Sequence, residues 1–374
     1  MTVLAVLLTV ATVIFATGGV IYGLSKRDEC LRAWQKMAAA RGLEYRRPSF
    51  WVSPKVSGVV NGSTVDIDTF QRSAGKSSVT YTRWRIGVPT ALTGDLQIGE
   101  EGLGTTILKA FGANDIEVGD SDLDGRLRFQ GSEPASIAAL CRDPGVREAL
   151  LRADDLPGAF SLKDGGLRFE QRGLAGADVD LKVDAGLQLA AALTDAAERP
   201  WLTLAARRGL QAERRGGALD LSGRSEGRDV RVWQVRDEAG LRTHLRVGAA
   251  GTWPRGLLLS KGGGGLTVGD AVLDGALNLQ AADPAALRAL LGTADQLRGV
   301  DLRASLLEVL HGNPGSAVDE RGVDLVYTGT PGVRLSEVFD QAWQLAVALD
   351  QAAGRAAAPQ GAPLAARAPG SVSQ

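Results

Sequence analysis

The feature that most restricts how this chain can fold is a repetition within its own sequence. Matching groups of residues occur at four places and keep their order along the chain. Matches that stay collinear indicate a duplication, so each copy should form the same folding unit. The matched groups are Trp34, Ala38, Ala39, Arg41, Gly42 and Leu43 with Trp201, Ala205, Ala206, Arg208, Gly209 and Leu210; Val118, Gly119, Asp120, Leu123, Asp124 and Gly125 with Val268, Gly269, Asp270, Leu273, Asp274 and Gly275; Gly166, Gly173 and Gly176 with Gly322, Gly329 and Gly332; and Leu189, Ala190, Ala192 and Leu193 with Leu345, Ala346, Ala348 and Leu349.

Each copy shows the same succession of helix and strand patterns. In the first copy, Val65 and Ile67 alternate with aspartates, which is typical of a strand with one buried face. Asn61-Gly62 just before it is a signal for a two-residue hairpin turn. Helical patterns open and close both copies. The sequence therefore predicts an α+β fold, in which two tandem repeats each form an antiparallel sheet covered by helices. A pleckstrin-like barrel is the alternative, and the helix predicted in the middle of each copy counts against it.

The repeat also predicts the domain boundaries. The first α+β repeat should cover residues 26–197 and the second residues 198–353, with the stretch from Thr194 to Pro200 linking the closing helix of one to the opening helix of the other. Residues 354–374 are rich in alanine, proline and glycine, so they are predicted to form a disordered tail.

The N-terminus has the pattern of a transmembrane helix. No charged side chain occurs from Thr2 to Ser25, and the stretch is long enough to cross a hydrocarbon core. A cleavable signal peptide is the alternative, but it would need a basic leader and a shorter apolar run. The predicted fold class therefore includes an N-terminal transmembrane helix over residues 1–25. The apolar residues that mark the span include Val3, Leu8, Ile14, Phe15 and Ile21.

Basic residues on one side of this segment predict its orientation. Lys26, Arg27, Arg32 and Lys36 follow it, and no basic side chain precedes it. Basic flanks stay in the cytoplasm, so the expected location is the inner membrane, crossed once, with the body in the cytoplasm. The bilayer is then the first expected partner. Gly19 and Gly23 have the small-x-x-x-small spacing that lets two spans form a homodimer, although glycine is common in membrane helices in any case.

Composition excludes some classes of function. The chain has 42 basic and 43 acidic residues among its 374, so no general attraction to nucleic acid is expected. Arginine, alanine and glycine dominate, as in proteins from GC-rich bacterial genomes. The two cysteines, Cys30 and Cys141, are too few for a disulfide scaffold and are expected to be reduced.

One segment resembles the start of a calcium-binding loop. Asp120, Asp122 and Asp124 occupy loop positions one, three and five, with glycine at position six. The twelfth position should be a bidentate glutamate, but it is Gly131. The second copy keeps only the Gly-Asp and Leu-Asp-Gly framework. A turn in which aspartates accept bonds from nearby backbone N–H groups is the favoured interpretation.

Catalytic patterns are missing elsewhere in the sequence. Of the two histidines, His244 is expected on a solvated strand face and His311 in a turn, and neither has a nucleophile at a known motif spacing. Asp66 and Asp68 point the same way from one strand, but the second copy has Arg231 and Trp233 there. We therefore predict no catalytic residue and no cofactor.

The Gly-Asp turn also carries a resemblance. The segment from Gly119 through Leu151, with its turn, strand and Pro-led helix, resembles a Gly-Asp-x-x-Phe-Asp pattern in uncharacterised bacterial single-pass membrane-anchored proteins. This chain has Leu123 and Leu273 where that pattern has phenylalanine. The resemblance implies no activity.

The sequence leaves three hypotheses about function. The first is a membrane-tethered, non-catalytic interaction or scaffold module that binds a protein partner, because the body is duplicated, charge-balanced and without catalytic motifs. The second is a protein that binds a lipid or a small apolar ligand between sheet and helices. The third is an enzyme, which would need a polar pocket that no sequence pattern shows.

Overall fold

The computed structural model describes residues 24–49, 52–75, 77–92, 95–100, 115–176, 178–215, 217–238, 240–292 and 301–357. The chain is α+β, with two largely antiparallel sheets. It divides into two compact units. Unit 1 comprises Met1–Pro200 with Arg215–Ala218, and unit 2 comprises Trp201–Arg214 with Leu219–Gln374.

The predicted fold class was wrong in its N-terminal transmembrane helix. Within the described ranges, no helix combines the length and the apolar character needed to cross a bilayer. The first described helix, α1, covers residues 24–41, and its charged side chains alternate with residues such as Trp34 and Met37 that are buried in a protein core. The predicted span residues lie outside the described residues: Val3, Leu8, Ile14, Phe15 and Ile21, with Gly19 and Gly23.

Unit 1 contains an open sheet of eight strands. Among the residues that the structure describes, their order is β1-β2-β3-β4-β8-β7-β5-β6, and no pairing joins β1 to β6, so these strands form an open sheet with two edges. The strands are β1 (Glu44–Arg46), β2 (Lys55–Val60), β3 (Ser63–Ala74), β4 (Ser77–Gly87), β5 (Gln97–Glu100), β6 (Leu127–Gln130), β7 (Ala159–Lys163) and β8 (Gly166–Arg172).

Helices cover one face of this sheet. After α1 come α2 (Ser121–Asp124), α3 (Pro134–Cys141), α4 (Pro144–Asp154) and α5 (Val179–Arg208). The predicted Pro-led helix is divided into α3 and α4, because Asp143 caps a new helix that begins at Pro144. A Cβ atom at Gly186 of α5 would clash with the end of Ile86 on β4, so glycine permits this close packing of helix on sheet.

Helix α5 differs from the prediction at its far end. The sequence indicated two helices separated by a link from Thr194 to Pro200, whereas a single helix runs through Pro200 to Arg208. Proline removes one backbone donor from the helix, and here the helix continues on both sides of it.

Strand alternation defines the core of unit 1 as the sequence predicted. Val65 and Ile67 on β3 and Trp84 and Ile86 on β4 are buried, and the residues between them face away from the helices. The fully buried Trp34 of α1 belongs to the same core, and its indole Nε1 donates to the carbonyl oxygen of Ala175 at 3.0 Å.

Unit 2 repeats the strand order of unit 1. Its sheet runs β9-β10-β11-β12-β17-β16-β13-β15-β14, which matches unit 1 strand for strand, with the short β14 added at one edge. The strands are β9 (Gln211–Arg215), β10 (Ala218–Ser225), β11 (Arg228–Asp237), β12 (Gly240–Gly248), β13 (Leu258–Lys261), β14 (Gly264–Gly265), β15 (Leu277–Gln280), β16 (Ala317–Asp319) and β17 (Gly322–Thr328). The end of α5, from Trp201 to Arg208, belongs to this unit. Its further helices are α6 (Ala271–Ala276), α7 (Pro284–Gly292), α8 (Leu302–Gly312) and α9 (Leu335–Ala357), the last preceded by a 3-10 turn at Gly332–Arg334.

Turns in the two units agree in backbone conformation. Asn61-Gly62 and Glu226-Gly227 connect the first hairpins, and all four residues have positive φ, as a type I′ turn requires. Helix α9 includes residues 354–357, so the segment predicted as a tail begins within a helix. The remaining residues of that prediction lie outside the described part of the chain.

Candidate functional site

The face of each sheet that points away from the core carries most of the polar chemistry of its unit. In unit 1 this open face consists of Lys55 on β2, Asp66, Asp68, Phe70 and Arg72 on β3, Tyr81, Arg83 and Arg85 on β4, and Arg168 and Glu170 on β8. In unit 2 it consists of Asp220 on β10, Arg231 and Trp233 on β11, His244 and Arg246 on β12, Asp319 on β16 and Asp324 on β17. These two sets follow from strand alternation and from the pairing registers.

Ion pairs connect neighbouring strands on the open face of unit 1. Arg83 donates two parallel bonds to Asp68, at 3.0 and 2.8 Å, and Lys55 lies 2.6 Å from Asp66. Arg85 bonds both aspartates. Burial raises the pKa of the Asp66 carboxyl, but the hydrogen bonds from Lys55 and Arg85 outweigh this and keep the pKa below its ordinary value. The predicted Asp66–Asp68 pair is therefore bound to basic side chains.

An aromatic pair lies beside this ion network. Phe70 and Tyr81 are directly opposite each other on β3 and β4, and their ring centroids are 5.6 Å apart. The guanidinium carbon of Arg72 lies 4.9 Å from the Tyr81 ring centroid, and that of Arg83 lies 5.0 Å from the centroid of Phe70. The arrangement holds two rings and two cations at a partly exposed surface.

Unit 2 has an aromatic pair of the same kind on its open face. Trp233 and His244 are opposite each other on β11 and β12 and stack at 4.9 Å between centroids. Arg231 lies over Trp233, with its guanidinium carbon 4.8 Å from the ring centroid. His244 Nδ1 is 3.5 Å from a carboxylate oxygen of Asp324, and neither of these buried atoms has a hydrogen-bond partner within the described part of the chain.

The two open faces differ in which strand of one ion pair carries the basic residue and which carries the acidic one. Lys55 and Asp66 of unit 1 correspond to Asp220 and Arg231 of unit 2, because both pairs occupy the same places in matching hairpins. Arg231 donates two bonds to Asp220, at 3.2 and 2.7 Å, and the hydrogen bond from Arg231 to Asp220 raises the pKa of that guanidinium. The pair is thus kept while its polarity is reversed.

The aspartates of the calcium-like turn are bound to protein groups. Asp124 accepts backbone N–H bonds from Val118, Gly119 and Asp120 at 2.9, 2.9 and 3.1 Å. The guanidinium of Arg147 pairs with both Asp120 and Asp122. Asp274 accepts corresponding backbone bonds in unit 2. Among the residues that the structure describes, no group of histidine, cysteine or acidic side chains is arranged to hold a metal ion.

Other residues that the sequence singled out are apart from the open faces. Lys26, Arg27, Arg32 and Lys36 belong to α1, and His311 is exposed in the last turn of α8. The repeated arginines Arg41 and Arg208 each bind an aspartate of the closing helix of their own unit. Arg41 bonds Asp184 at 2.6 Å and Arg208 bonds Asp340 at 2.8 Å, so their recurrence has a structural reason.

Sequence reasoning missed a buried lysine. Lys182 of α5 is only 1% exposed; its ammonium donates to the carbonyl oxygen of Pro157 and lies 4.6 Å from the Trp84 ring centroid. The corresponding residue of unit 2 is Val338, which is also buried. A lysine within the apolar pattern of one closing helix, where the other copy has valine, was the signal that could have found it.

Comparison with known proteins adds no assignment for this site. No protein-family model, curated protein or solved structure matches this chain. The fold and the open faces define a duplicated α+β protein that presents an arginine-stacked aromatic pair on each sheet.

Proposed function

We propose that this protein is a non-catalytic interaction module that binds a protein partner through the open faces of its sheets. The observation that carries the proposal is that both units place a cross-strand aromatic pair on the open face with an arginine over it. Tyrosine, tryptophan and arginine are the residues that contribute most binding energy at protein interfaces.

Preorganisation supports the same role. Ion pairs hold the guanidinium groups of Arg83 and Arg231 against neighbouring strands, so these side chains lose little additional freedom when a partner binds. The rings are fixed in the same way, because each lies on a strand in the interior of its sheet and has a stacked neighbour. Rigid aromatic and arginine side chains at a surface favour recognition rather than catalysis.

Site-specific photocrosslinking in cells tests this function. A benzophenone amino acid in place of Tyr81 should give a discrete adduct, whereas the same probe in place of Leu181, an exposed residue of α5, should not. Arg72→Ala in the same chain should abolish the adduct, and Arg152→Ala, which removes an exposed arginine from α4, should leave it intact. Equal adducts from both probe positions, or an adduct insensitive to Arg72→Ala, would contradict the proposal.

A further inference from the structure

A cavity in unit 1 is not part of the open face. It has a volume of about 810 Å³ and lies between the start of α1, the C-terminal part of β3 and the N-terminal part of β4. Thr69, Gln71 and Thr80 line it, and their side chains project from the same face of the sheet as the buried Ile67. Sites for small molecules are cavities of roughly 300–1,000 Å³, so this one has the size of a ligand site.

The walls of the cavity are partly apolar, and the charged side chains among its described lining residues are basic. Leu31, Val52 and Leu174 contribute apolar surface, while Lys26 and Arg27 contribute two cations. Arg27 and Leu31 are one helical turn apart on α1, so cation and apolar wall lie on the same side of the helix. Lys26 also pairs with Glu29 at 3.1 Å, and Glu29 and Asp178 both act electrostatically on the Cys30 thiol, although none of the described lining residues is acidic.

The corresponding place in unit 2 is bridged by side chains. Thr69 and Leu174 of unit 1 correspond to Gln234 and Thr330 of unit 2, where the Gln234 amide donates to the Thr330 hydroxyl. The neighbouring bond is the same in both units, from Thr82 to the Gly173 carbonyl and from Thr243 to the Gly329 carbonyl. Unit 1 lacks this side-chain bridge, because Thr69 is shorter than the corresponding Gln234 and Leu174 is apolar where unit 2 has Thr330.

We propose that this cavity binds a single-chain anionic amphiphile of the long-chain carboxylate class. Its head group pairs with Lys26 and Arg27, and its chain lies along Leu31, Val52 and Leu174. A cation beside an apolar wall is the arrangement that such a molecule requires, because its two ends need opposite surroundings. The proposal goes beyond the open faces and does not depend on their function.

Cys30 provides a readout located at the site. It lines the cavity and is partly exposed, whereas Cys141 is fully buried, so maleimide should alkylate Cys30 alone in the folded chain. With the full chain at pH 8, oleate at about ten times its Kd should slow the alkylation of Cys30 about tenfold. Oleyl alcohol, which has the same chain without the charge, should protect only at clearly higher concentrations. Phosphatidylglycerol vesicles, which present their charge on a bilayer, should leave the rate unchanged.

Variants separate this site from non-specific binding. Arg27→Gln should weaken protection by oleate, and Arg32→Gln, which removes an exposed arginine of α1 outside the cavity, should not. Thr69→Gln combined with Leu174→Thr should close the cavity as in unit 2 and abolish protection. The proposal is overturned by an alkylation rate that oleate does not change, by equal effects of Arg27→Gln and Arg32→Gln, or by protection from vesicles alone.

Discussion

At the scale of single residues, Asp124 shows how a sequence pattern for metal binding can serve the backbone instead. Its carboxylate accepts N–H bonds from three consecutive residues, Val118, Gly119 and Asp120. Asp120 caps α2 by accepting bonds from the N–H groups of Asp122 and Leu123. Unit 2 contains the same two devices at Asp274 and Asp270. The repeated aspartates therefore organise a turn.

Asp124→Ala should destabilise the protein substantially. It leaves three backbone donors without their acceptor. Gly119 is exposed, so water can replace part of the lost bonding, and a loss of about 1–3 kcal/mol is expected. Asp122→Ala is the matched control, because Asp122 is largely exposed and should change stability far less. Urea unfolding of both variants, with and without calcium, measures the effect. An equal effect of the two substitutions, or a stabilisation by calcium that Asp124→Ala removes, would contradict the structural role.

Asp66 should make the stability of the protein depend on pH. Burial raises its pKa, but bonds from Lys55 and Arg85 lower it further, so the folded-state pKa lies below the unfolded value of about 3.9. A depressed pKa stabilises the folded state above the unfolded pKa, and this stabilisation is lost as the pH falls through the folded pKa. Asp66→Asn should therefore reduce stability at pH 7, and its difference from the unaltered protein should shrink below about pH 4.

The control for this pH dependence is Asp229→Asn. Asp229 is an exposed residue of β11 in unit 2. Urea unfolding of the three proteins between pH 7 and pH 3 makes the comparison. If the stability change caused by Asp66→Asn varies with pH in the same way as that caused by Asp229→Asn, the depressed pKa of Asp66 does not explain the pH dependence.

At the scale of elements, the two hairpins show that the position of an ion pair can persist while its charges exchange places. Lys55–Asp66 joins β2 to β3, and Asp220–Arg231 joins β10 to β11 at the matching positions. Opposite charges facing each other across strands stabilise a sheet with either polarity, while like charges destabilise it. The position of the pair is thus common to both hairpins, while the sign of each charge differs between the two open faces.

A double-mutant cycle on the first hairpin tests this interpretation. Lys55→Asp and Asp66→Arg should each destabilise unit 1, because each places like charges diagonally beside one another on neighbouring strands. The double variant reproduces the pair of unit 2 and should recover about 0.5–1 kcal/mol of coupling. Thermal unfolding of the four proteins gives the coupling energy. Additive losses in the double variant would show that the pair does not stabilise the hairpin.

At the scale of the whole molecule, two separate cores carry the fold. The core of unit 1 is built around Trp34, Trp84 and Phe169, and that of unit 2 around Trp201, Leu245 and Phe339. Each core combines the buried face of one sheet with the helices that cover it. The same strand order therefore recurs with different side chains in its interior.

The cysteines provide a way to follow unfolding of unit 1. Burial raises the pKa of Cys141 to about 12, and its side chain is fully buried, so it should react with maleimide only when the unit opens. Val146→Ala, in the same core, should destabilise the unit by about 1–3 kcal/mol and speed this reaction by roughly 5- to 150-fold. Val235→Ala, at a partly exposed position of unit 2, is the control. Equal alkylation rates of Cys141 in the two variants would contradict the conclusion that this reaction reports the opening of unit 1.

Local patterns were enough to predict much of the fold. Alternation placed Val65, Ile67, Trp84 and Ile86 in the core, and Asn61-Gly62 marked a hairpin, because side-chain period and turn conformation depend on neighbouring residues alone. Local apolar character also led to the transmembrane helix, which the described fold does not contain.

Contacts between distant segments lay beyond such patterns. The stacking of Trp233 on His244, the pairing of Lys55 with Asp66 and the burial of Lys182 against Trp84 each depend on which residues face each other across strands or between helix and sheet. Pairing register and helix packing bring these residues together from far apart in the chain, and a one-residue shift in register would separate them. The repeated backbone could be predicted from the sequence, whereas the open faces and the cavity exist only once that backbone has folded.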